Sequence, residues 1–410
     1  MENEHLESRV ERQRKSAKKK HPRKKLIITI ILSILGLGIV LGGAYAAYVY
    51  NMAHKAVNQT YSSTGSGNER ANAALLNSKK PFAVLLLGTD TGTNGNFGSN
   101  RDRSGLTDSI MLVIVNPEKK ATTIVSIPRD IMTSIPGFES SFPQKLNAAY
   151  AFKETADSNA SLGDGVGTTM KTIEKMFNVP INYYAMVNMS GLGQVVDQLD
   201  GIKVASPLTF TFSQDTAEQY GNNLYHFTKG STTFKYAEDG SNFSTYTSMN
   251  GTAALAFSRM RYEDPLGDYG RTLRQRLILQ AIIDKAKSNP TKVLNAKFFN
   301  TAAKNIATDL TWNDLLTIGS SYLSASDKIT SYTVQGESQM YNGVSYQRLT
   351  TNQRQAMTNT VRSALGLKSA ETGHEFSSTV SSSDIYSVGL ADDLYPSSNT
   401  KANLKLNNGN

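Results

Sequence analysis

The stretch TDSIMLVIVNPEKKATTIVSIPR occupies residues 107–129. Ile110 to Val115 and Thr122 to Ile127 are runs of β-branched and aliphatic residues, and Asn116, Pro117, Glu118, Lys119 and Lys120 between them have the chemistry of a turn. An antiparallel hairpin follows. The start of its first strand and the end of its second share one edge, so Asp108 and Arg129 should emerge side by side, away from the turn. Upstream, Phe82 to Leu87 ends in Gly88, Thr89 and Asp90, which predicts a buried strand whose end presents a polar loop. Downstream, Thr168 to Phe177 reads as helix, Ile181 to Val187 as strand and Gly191 to Leu199 as helix again. This alternation predicts an α/β fold in which helices cover a mixed sheet. Ala253, Ala254, Leu255 and Phe257 predict a helix that gives way near Ser258. Arg271 to Lys287 carries Leu273, Leu277 and Ala281 with Ile278 and Ile282 as a helical stripe that should dock on the sheet. Residues 291–367, with a strand-like run from Ile329 to Val334, continue the same domain.

Composition narrows the function. The 410 residues carry a formal net charge of +9. Residues 1–25 hold ten Lys or Arg and four Glu, a net +6, so only +3 remains on the rest. The folded part therefore has no phosphate-tracking surface, and no nucleic-acid partner is expected. The absence of cysteine removes disulfides, thiolate metal sites and cysteine nucleophiles. Gly163, Gly165 and Gly167 lack the Lys of a phosphate loop and read as a flexible entry to the helix at Thr168. No histidine falls in zinc-type spacing, His226 and His374 read as surface residues, and there is no G-x-S-x-G elbow.

Leu26 to Tyr50 contains no Asp, Glu, Lys or Arg and has the roughly 20 apolar residues that a spanning helix requires. Lys18, Lys19, Lys20, Arg23, Lys24 and Lys25 precede it. By the positive-inside tendency the N-terminus stays in the cytoplasm and the large domain is extracellular, on a single-pass anchor in the cell membrane. The alternative, a signal peptide cleaved near Ala44, Tyr45 and Ala46, fits less well with so long a basic lead and apolar run. The expected organisation is a cytoplasmic tail at 1–25, a transmembrane helix at 26–50, a stalk at 51–80, a catalytic domain at 81–367 and a disordered Ser/Asn-rich tail at 368–410.

Several charged residues stand where structure alone gives them little to do. Arg259 and Arg261 are two apart in an extended exit from a helix, so their guanidinium groups share a face. They are either solvated or paired with Glu263, Asp264 or Asp268, or they hold an anion. Arg271 lies in a first helical turn, where the dipole disfavours a cation, and Gln275 is one turn further on the same face. An anion at that turn reverses the sign, and Arg offers forked contacts to phosphate. Asp90 and Asp108, at strand ends, then suit a hard divalent cation. Mg²⁺ fits best, because it uses one or two carboxylates and fills its shell with phosphate oxygens and water; Mn²⁺ is the alternative.

These residues lie in segments that resemble the LytR-CpsA-Psr proteins, which attach glycopolymers to the Gram-positive cell wall. The segments are Leu-Leu-Gly-Thr-Asp ending at Asp90, Thr107 to Leu112, Ser126-Ile-Pro-Arg-Asp130, Lys145-Leu-Asn-Ala-Ala-Tyr150, Ser258-Arg-Met-Arg261 and Asp268 through Gly270-Arg271 to Arg274-Gln275. The resemblance covers about residues 81–367. It implies a three-layer α/β/α sandwich with an apolar tunnel for a polyprenyl tail, which Ile181 to Val187 and Gly191 to Ile202 could line. It also implies that Asp90 and Asp108 bind Mg²⁺, that Arg129, Arg259, Arg261, Arg271 and Gln275 contact a polyprenyl-linked pyrophosphate, and that Arg103 and Lys145 are further phosphate-facing cations. Asp90 would also help take the acceptor's proton. The activity implied is transfer of teichoic acid, capsule or another wall polymer from its polyprenyl-pyrophosphate carrier to peptidoglycan. The alternatives are a hydrolase of the same pyrophosphate, a non-enzymatic membrane regulator, or a wall-binding module.

Overall fold

The computed structural model describes residues 45–64, 76–89, 105–157, 160–293, 295–376, 380–388 and 407–408. Strands β1 (Phe82–Thr89), β2 (Thr107–Asn116) and β3 (Ala121–Ile127) are followed by the short β4 (Met132–Thr133) and β5 (Gln144–Lys145), then by β6 (Tyr183–Asn188). Next come β7 (Phe210–Ser213), β8 (Leu224–Phe227), β9 (Phe234–Ala237) and β10 (Ser244–Tyr246), then β11 (Ile306–Thr308) and β12 (Lys328–Thr333). The hairpin β13 (Glu337–Tyr341) and β14 (Val344–Arg348) and the edge piece β15 (Asn407–Asn408) complete the set. The central seven-stranded sheet has the order β11-β6-β1-β2-β3-β12-β15. It is mixed: β2 is antiparallel to β1 and β3, whereas β6 runs parallel to β1 and β12 parallel to β3.

The expected hairpin is β2–β3, in a register that pairs Ile110 with Ile127. Its turn is tied by the Lys119 N–H donating to the Asn116 side chain at 2.9 Å, and Lys120 takes the left-handed conformation that closes it (φ 48°).

Because side chains alternate along a strand, the sheet has two distinct faces. On one, Leu85, Leu87, Ile110, Leu112, Ile114 and Val125 meet the Leu162–Phe177 and Thr351–Ala364 helices in one continuous core. Val166, Met170, Ile173, Met176 and Phe177 are all 0% exposed. Five such side chains on one helix contribute on the order of 10 kcal/mol before chain entropy is subtracted. That helix begins earlier than its sequence suggests, at a capping box formed by Ser161 and Asp164. Gly163, Gly165 and Gly167 are therefore inside the helix rather than a flexible entry. Gly163 has a packing reason: a Cβ there would lie 1.6 Å from the carbonyl oxygen of Ser63.

The opposite face is covered by the Trp312–Ser321 helix at one end and by the Met189–Gln198 and Asp268–Ser288 helices at the other. A second core lies beyond. There β7 to β10 form a four-stranded antiparallel sheet whose Phe210, Phe212, Tyr225, Phe227 and Phe234 pack on the Gly251–Arg259 helix and on Ile278. The Asp268–Ser288 helix is thus shared, with Ile278, Leu277 and Ala281 toward the second core and Gln275 and Leu279 toward the central sheet.

Two expectations about the domain's limits need correction. Residues 53–63, placed in the stalk, lie on the domain: Ala53, Ala56 and Val57 are buried, Ser62 N–H donates to the Thr308 carbonyl at 2.8 Å, and the Tyr184 hydroxyl donates to the Ser62 carbonyl at 2.6 Å. Residues 368–376, placed in the disordered tail, are held by a fully buried ion pair between Arg354 and Glu375, with Arg354 also donating to the Gly373 carbonyl at 3.1 Å. The Ser382–Ser387 helix follows and puts Ile385 and Val388 against Met132 and Tyr346. Composition suggested disorder, but one buried arginine and a few apolar side chains suffice to anchor these pieces. Of the expected membrane span, residues 26–44 lie outside the described residues. Among the described residues no helix is long and apolar enough to cross a membrane.

Candidate active site

Asp108 enters the site from the first residues of β2, and Arg129 from the segment just after β3, as the hairpin geometry requires. Their side chains form an ion pair through Arg129 Nη1 and Asp108 Oδ1. Arg129 Nε also lies 3.6 Å from Asp130 and 3.9 Å from Asp268. Burial works against the charge on Arg129, but Asp108, Asp268 and Asp130 together outweigh it, and its pKa ends up raised.

The Asp268–Ser288 helix supplies the facing wall. Arg271 Nη2 is 2.6 Å from Asp268, its helical neighbour, and 3.4 Å from the carbonyl oxygen of Asp108. Its pKa is lowered, chiefly by burial, with Arg129 and Arg261 adding repulsion against the pull of Asp268 and Asp108. Arg271 therefore feels both Arg129 and Arg261, and an anion placed among them would relieve the repulsion. The Arg271 Nε and Gln275 Oε1 atoms are buried without a hydrogen-bond partner among the described residues. Since the two ends of an amide are assigned rather than seen, Gln275 can equally present its NH₂ to a ligand.

Arg259 is the last residue of the Gly251–Arg259 helix and is exposed; Arg261 follows an extended Met260 and stacks on Tyr262, 4.9 Å from the ring centroid. The acids that could have neutralised this pair are engaged elsewhere. Glu263 accepts from the Thr211 N–H at 3.2 Å, Asp264 is paired with Arg274, and Asp268 with Arg271. Lys145, in β5, sits on the far side of Asp130 at 3.0 Å, with its ammonium 5.8 Å from the Tyr346 ring centroid.

Asp90 and Arg103 lie outside the described residues. Thr89, which precedes Asp90, pairs with Thr107, which precedes Asp108. Among the described residues no group of three or more His, Cys, Asp or Glu could hold a metal ion. Asp108 by itself is a donor suited to Mg²⁺, which uses one or two carboxylates, and a cation bound there would share the carboxylate with Arg129.

Below this cationic rim an apolar cavity of about 110 Å³ opens between sheet and helices. Leu86, Leu87, Met111, Val187, Leu192 and Leu279 line it, with Gln275 and Ser109 at its polar part. Of the two runs expected to line a tunnel, Val187 and Leu192 line this cavity, whereas Tyr184, Met186, Val196 and Ile202 belong to the cores. Arg271, Gln275 and Leu279 are spaced i, i+4, i+8 on one helical face, so charge, amide and alkyl follow one another in that order.

Sequence reasoning missed two buried arginines on the same helix. Arg274 is 0% exposed and bonds to Asp264 and to the carbonyls of Phe257 and Met260. Arg276 is pinned to the Tyr332 carbonyl at 2.7 Å, and burial pushes its pKa down to about 10. In sequence both look like the solvated cations of an ordinary amphipathic helix.

Fold and site together bring arginines, aspartates and an apolar cavity to one edge of a mixed α/β sheet. The LytR_cpsA_psr family model matches residues 46–363, and the chain belongs to that family. It is 36% identical over 324 residues to the polyisoprenyl-teichoic acid–peptidoglycan teichoic acid transferase TagU of Enterococcus faecalis, a match covering 79% of this chain and 89% of the relative. Among solved structures, protein gbs0355 of Streptococcus agalactiae superposes with a TM-score of 0.58 at 29% identity, covering 73% of this chain and 92% of the other. TagT bound to LIIa-WTA superposes with a TM-score of 0.51 at 25% identity, over 74% and 95% of the two chains.

Proposed function

We propose that this protein transfers a wall glycopolymer, of the teichoic acid class, from a polyprenyl-pyrophosphate carrier to peptidoglycan. The observation that carries this reading is the pair Arg129 and Arg271, joined through Asp108 and Asp268, with Arg271 on the helix whose Gln275 and Leu279 line an apolar cavity. The names of the relatives support the same substrate class.

In this reading the polyprenyl chain starts in the cavity and the pyrophosphate lies under the rim. A peptidoglycan hydroxyl attacks the phosphorus that carries the polymer, a new P–O bond forms, and the bond to the lipid-side phosphate breaks. Polyprenyl phosphate leaves. Arg129 and Arg271 neutralise charge that builds on the phosphate oxygens, an electrostatic contribution that needs no covalent intermediate. Arg259, Arg261 and Lys145 flank the polymer side of the pyrophosphate, and Arg103 is a further cation for it. Asp108 and Asp90 would hold a Mg²⁺ ion, which would supply charge neutralisation at the pyrophosphate. Asp90 also receives the proton of the attacking hydroxyl. The catalytic domain is outside the cell, on a single transmembrane helix within residues 26–50, with residues 1–25 in the cytoplasm.

The test is transfer by full-length protein in detergent, given a lipid-linked polymer and peptidoglycan fragments. Arg129→Ala should lower kcat by about 10²- to 10³-fold, the usual cost of losing one transition-state contact. Polymer released to water rather than joined to the glycan would make the protein a hydrolase, and full activity in Arg129→Ala would remove the site.

A further inference from the structure

Arg274 lies in the same helix as Arg271 and Gln275 but points away from the anion site. Its guanidinium stands 5.2 Å from the Phe210 ring centroid, within the second core. Nε donates to the Phe257 carbonyl at 2.9 Å, one Nη to the Met260 carbonyl and the other to Asp264. These acceptors are specific in position. Phe257 and Met260 bracket the C-terminal end of the Gly251–Arg259 helix, where carbonyls lack intrahelical partners and a cation suits the dipole. Met260 is also the residue between Arg259 and Arg261. Asp264, for its part, shapes the loop that follows: its Oδ1 accepts from the Leu266 N–H at 2.9 Å, and its backbone joins those of Arg261 and Gly267. Gly270 admits the carboxylate, since a Cβ there would lie 1.8 Å from Asp264 Oδ2.

We propose that Arg274, with Asp264 as its counter-ion, is a positioning residue that sets the distance between the two arginine arms of the site, Arg259/Arg261 on one side and Arg271/Gln275 on the other. It rests on the transferase reading for its activity assay but not for its geometry. The forked guanidinium clamps the peptide that carries Arg261 to the helix that carries Arg271. A lysine at the same place keeps the charge and loses the fork. With the clamp gone, the two arms no longer hold one pyrophosphate at a fixed span, and misplacement by about 1 Å can cost about 10²-fold in rate. A merely structural arginine would lower stability and leave the arms uncoupled.

The experiment is a double-mutant cycle on full-length protein in detergent, read both in polymer transfer and in affinity for geranylgeranyl pyrophosphate. Arg274→Lys should lower kcat by about 30-fold or more and weaken geranylgeranyl pyrophosphate binding by about 3-fold or more. In an Arg259→Ala/Arg261→Ala background the same substitution should cost less than about 3-fold, because the arm it positions is gone. Equal losses in both backgrounds, or an undiminished kcat in Arg274→Lys, would overturn the proposal. If Arg274→Lys fails to fold, Asp264→Asn, which keeps an acceptor oxygen and drops the charge, goes through the same cycle with the same two outcomes. Wild-type protein silent in transfer would sink the transferase reading alone. The cycle is then decided by geranylgeranyl pyrophosphate, where a loss of affinity that persists without Arg259 and Arg261 overturns the clamp.

Discussion

The two faces of the central sheet are built from similar aliphatic residues and are closed to different degrees. Toward the Leu162–Phe177 and Thr351–Ala364 helices, Leu85, Leu112 and Ile114 are completely buried. Toward the Asp268–Ser288 helix, Leu86 and Val187 remain only half-buried and line the cavity beside Gln275. Aliphatic content cannot explain the contrast; what differs is the covering helix. The Leu162–Phe177 helix brings Val166, Met170 and Ile173 down onto the strands, whereas the Asp268–Ser288 helix turns Arg271, Gln275 and Arg276 toward them and spends its apolar residues Ile278 and Ala281 on the second core. One face is packed shut, and the other keeps an apolar cavity beside Gln275.

That contrast can be broken from either side. The largest effect is expected on the closed face, at the Arg354–Glu375 pair that fastens residues 368–376 beside the Thr351–Ala364 helix. Arg354→Met leaves Glu375 as a buried charge without its partner, and urea unfolding should show a loss of about 3–5 kcal/mol. The folded fraction should keep its kcat, because the Arg354 side chain bonds to Leu349, Thr351, Gly373 and Glu375 and to no arginine of the described site; a fall in kcat without a fall in stability would erase the distinction between the faces. A smaller effect is expected on the open face. Leu279→Trp fills the cavity, so KM for a polyprenyl-linked substrate should rise by about 10-fold, equal to about 1.4 kcal/mol, while the thermal midpoint hardly moves. A lowered midpoint with unchanged KM would make the cavity an ordinary packing defect.

The smallest effect concerns the sealed end of the open face, where Tyr322 packs edge-on against Phe82 at 5.1 Å and donates to the Lys80 carbonyl at 2.9 Å. Burial pushes the Tyr322 hydroxyl up to about 12. A folded-state pKa above the unfolded one gives stability that is complete below about pH 10 and is lost as pH rises from there to about 12. Tyr322→Phe should cost about 1 kcal/mol at neutral pH through the lost hydrogen bond, and it should flatten the alkaline part of the stability profile followed by circular dichroism. An unchanged alkaline slope would place the titrating group elsewhere.

How much of this could be read from sequence depended on how local the signal was. The β2–β3 hairpin and the meeting of Asp108 with Arg129 follow from two strand patterns and one turn, all within 21 residues of each other. Arg271 and Gln275 were legible because a helical period is also local. The β7–β10 sheet left an alternating aromatic trace in Phe210 and Phe212, Tyr225 and Phe227, and Phe234 and Tyr236 that goes unused without its partners. Arg274 was illegible for a deeper reason. Its meaning comes from two carbonyls and a carboxylate that belong to other elements, and nothing in Leu-Arg-Gln-Arg distinguishes a clamp from a solvated cation. Glu375 likewise sits in a polar segment whose composition argues for disorder, and only a distant arginine reverses the argument.

The docking of residues 53–63 on the domain bears on how far the enzyme can work from its anchor. Spread out as a free tether, that stretch would have added about 35 Å of leash. Bound to Thr308 and Tyr184, with Gly163 kept bare to let Ser63 pass, it adds none of that slack. For a chain anchored as proposed, the tether between span and domain is shorter by that length.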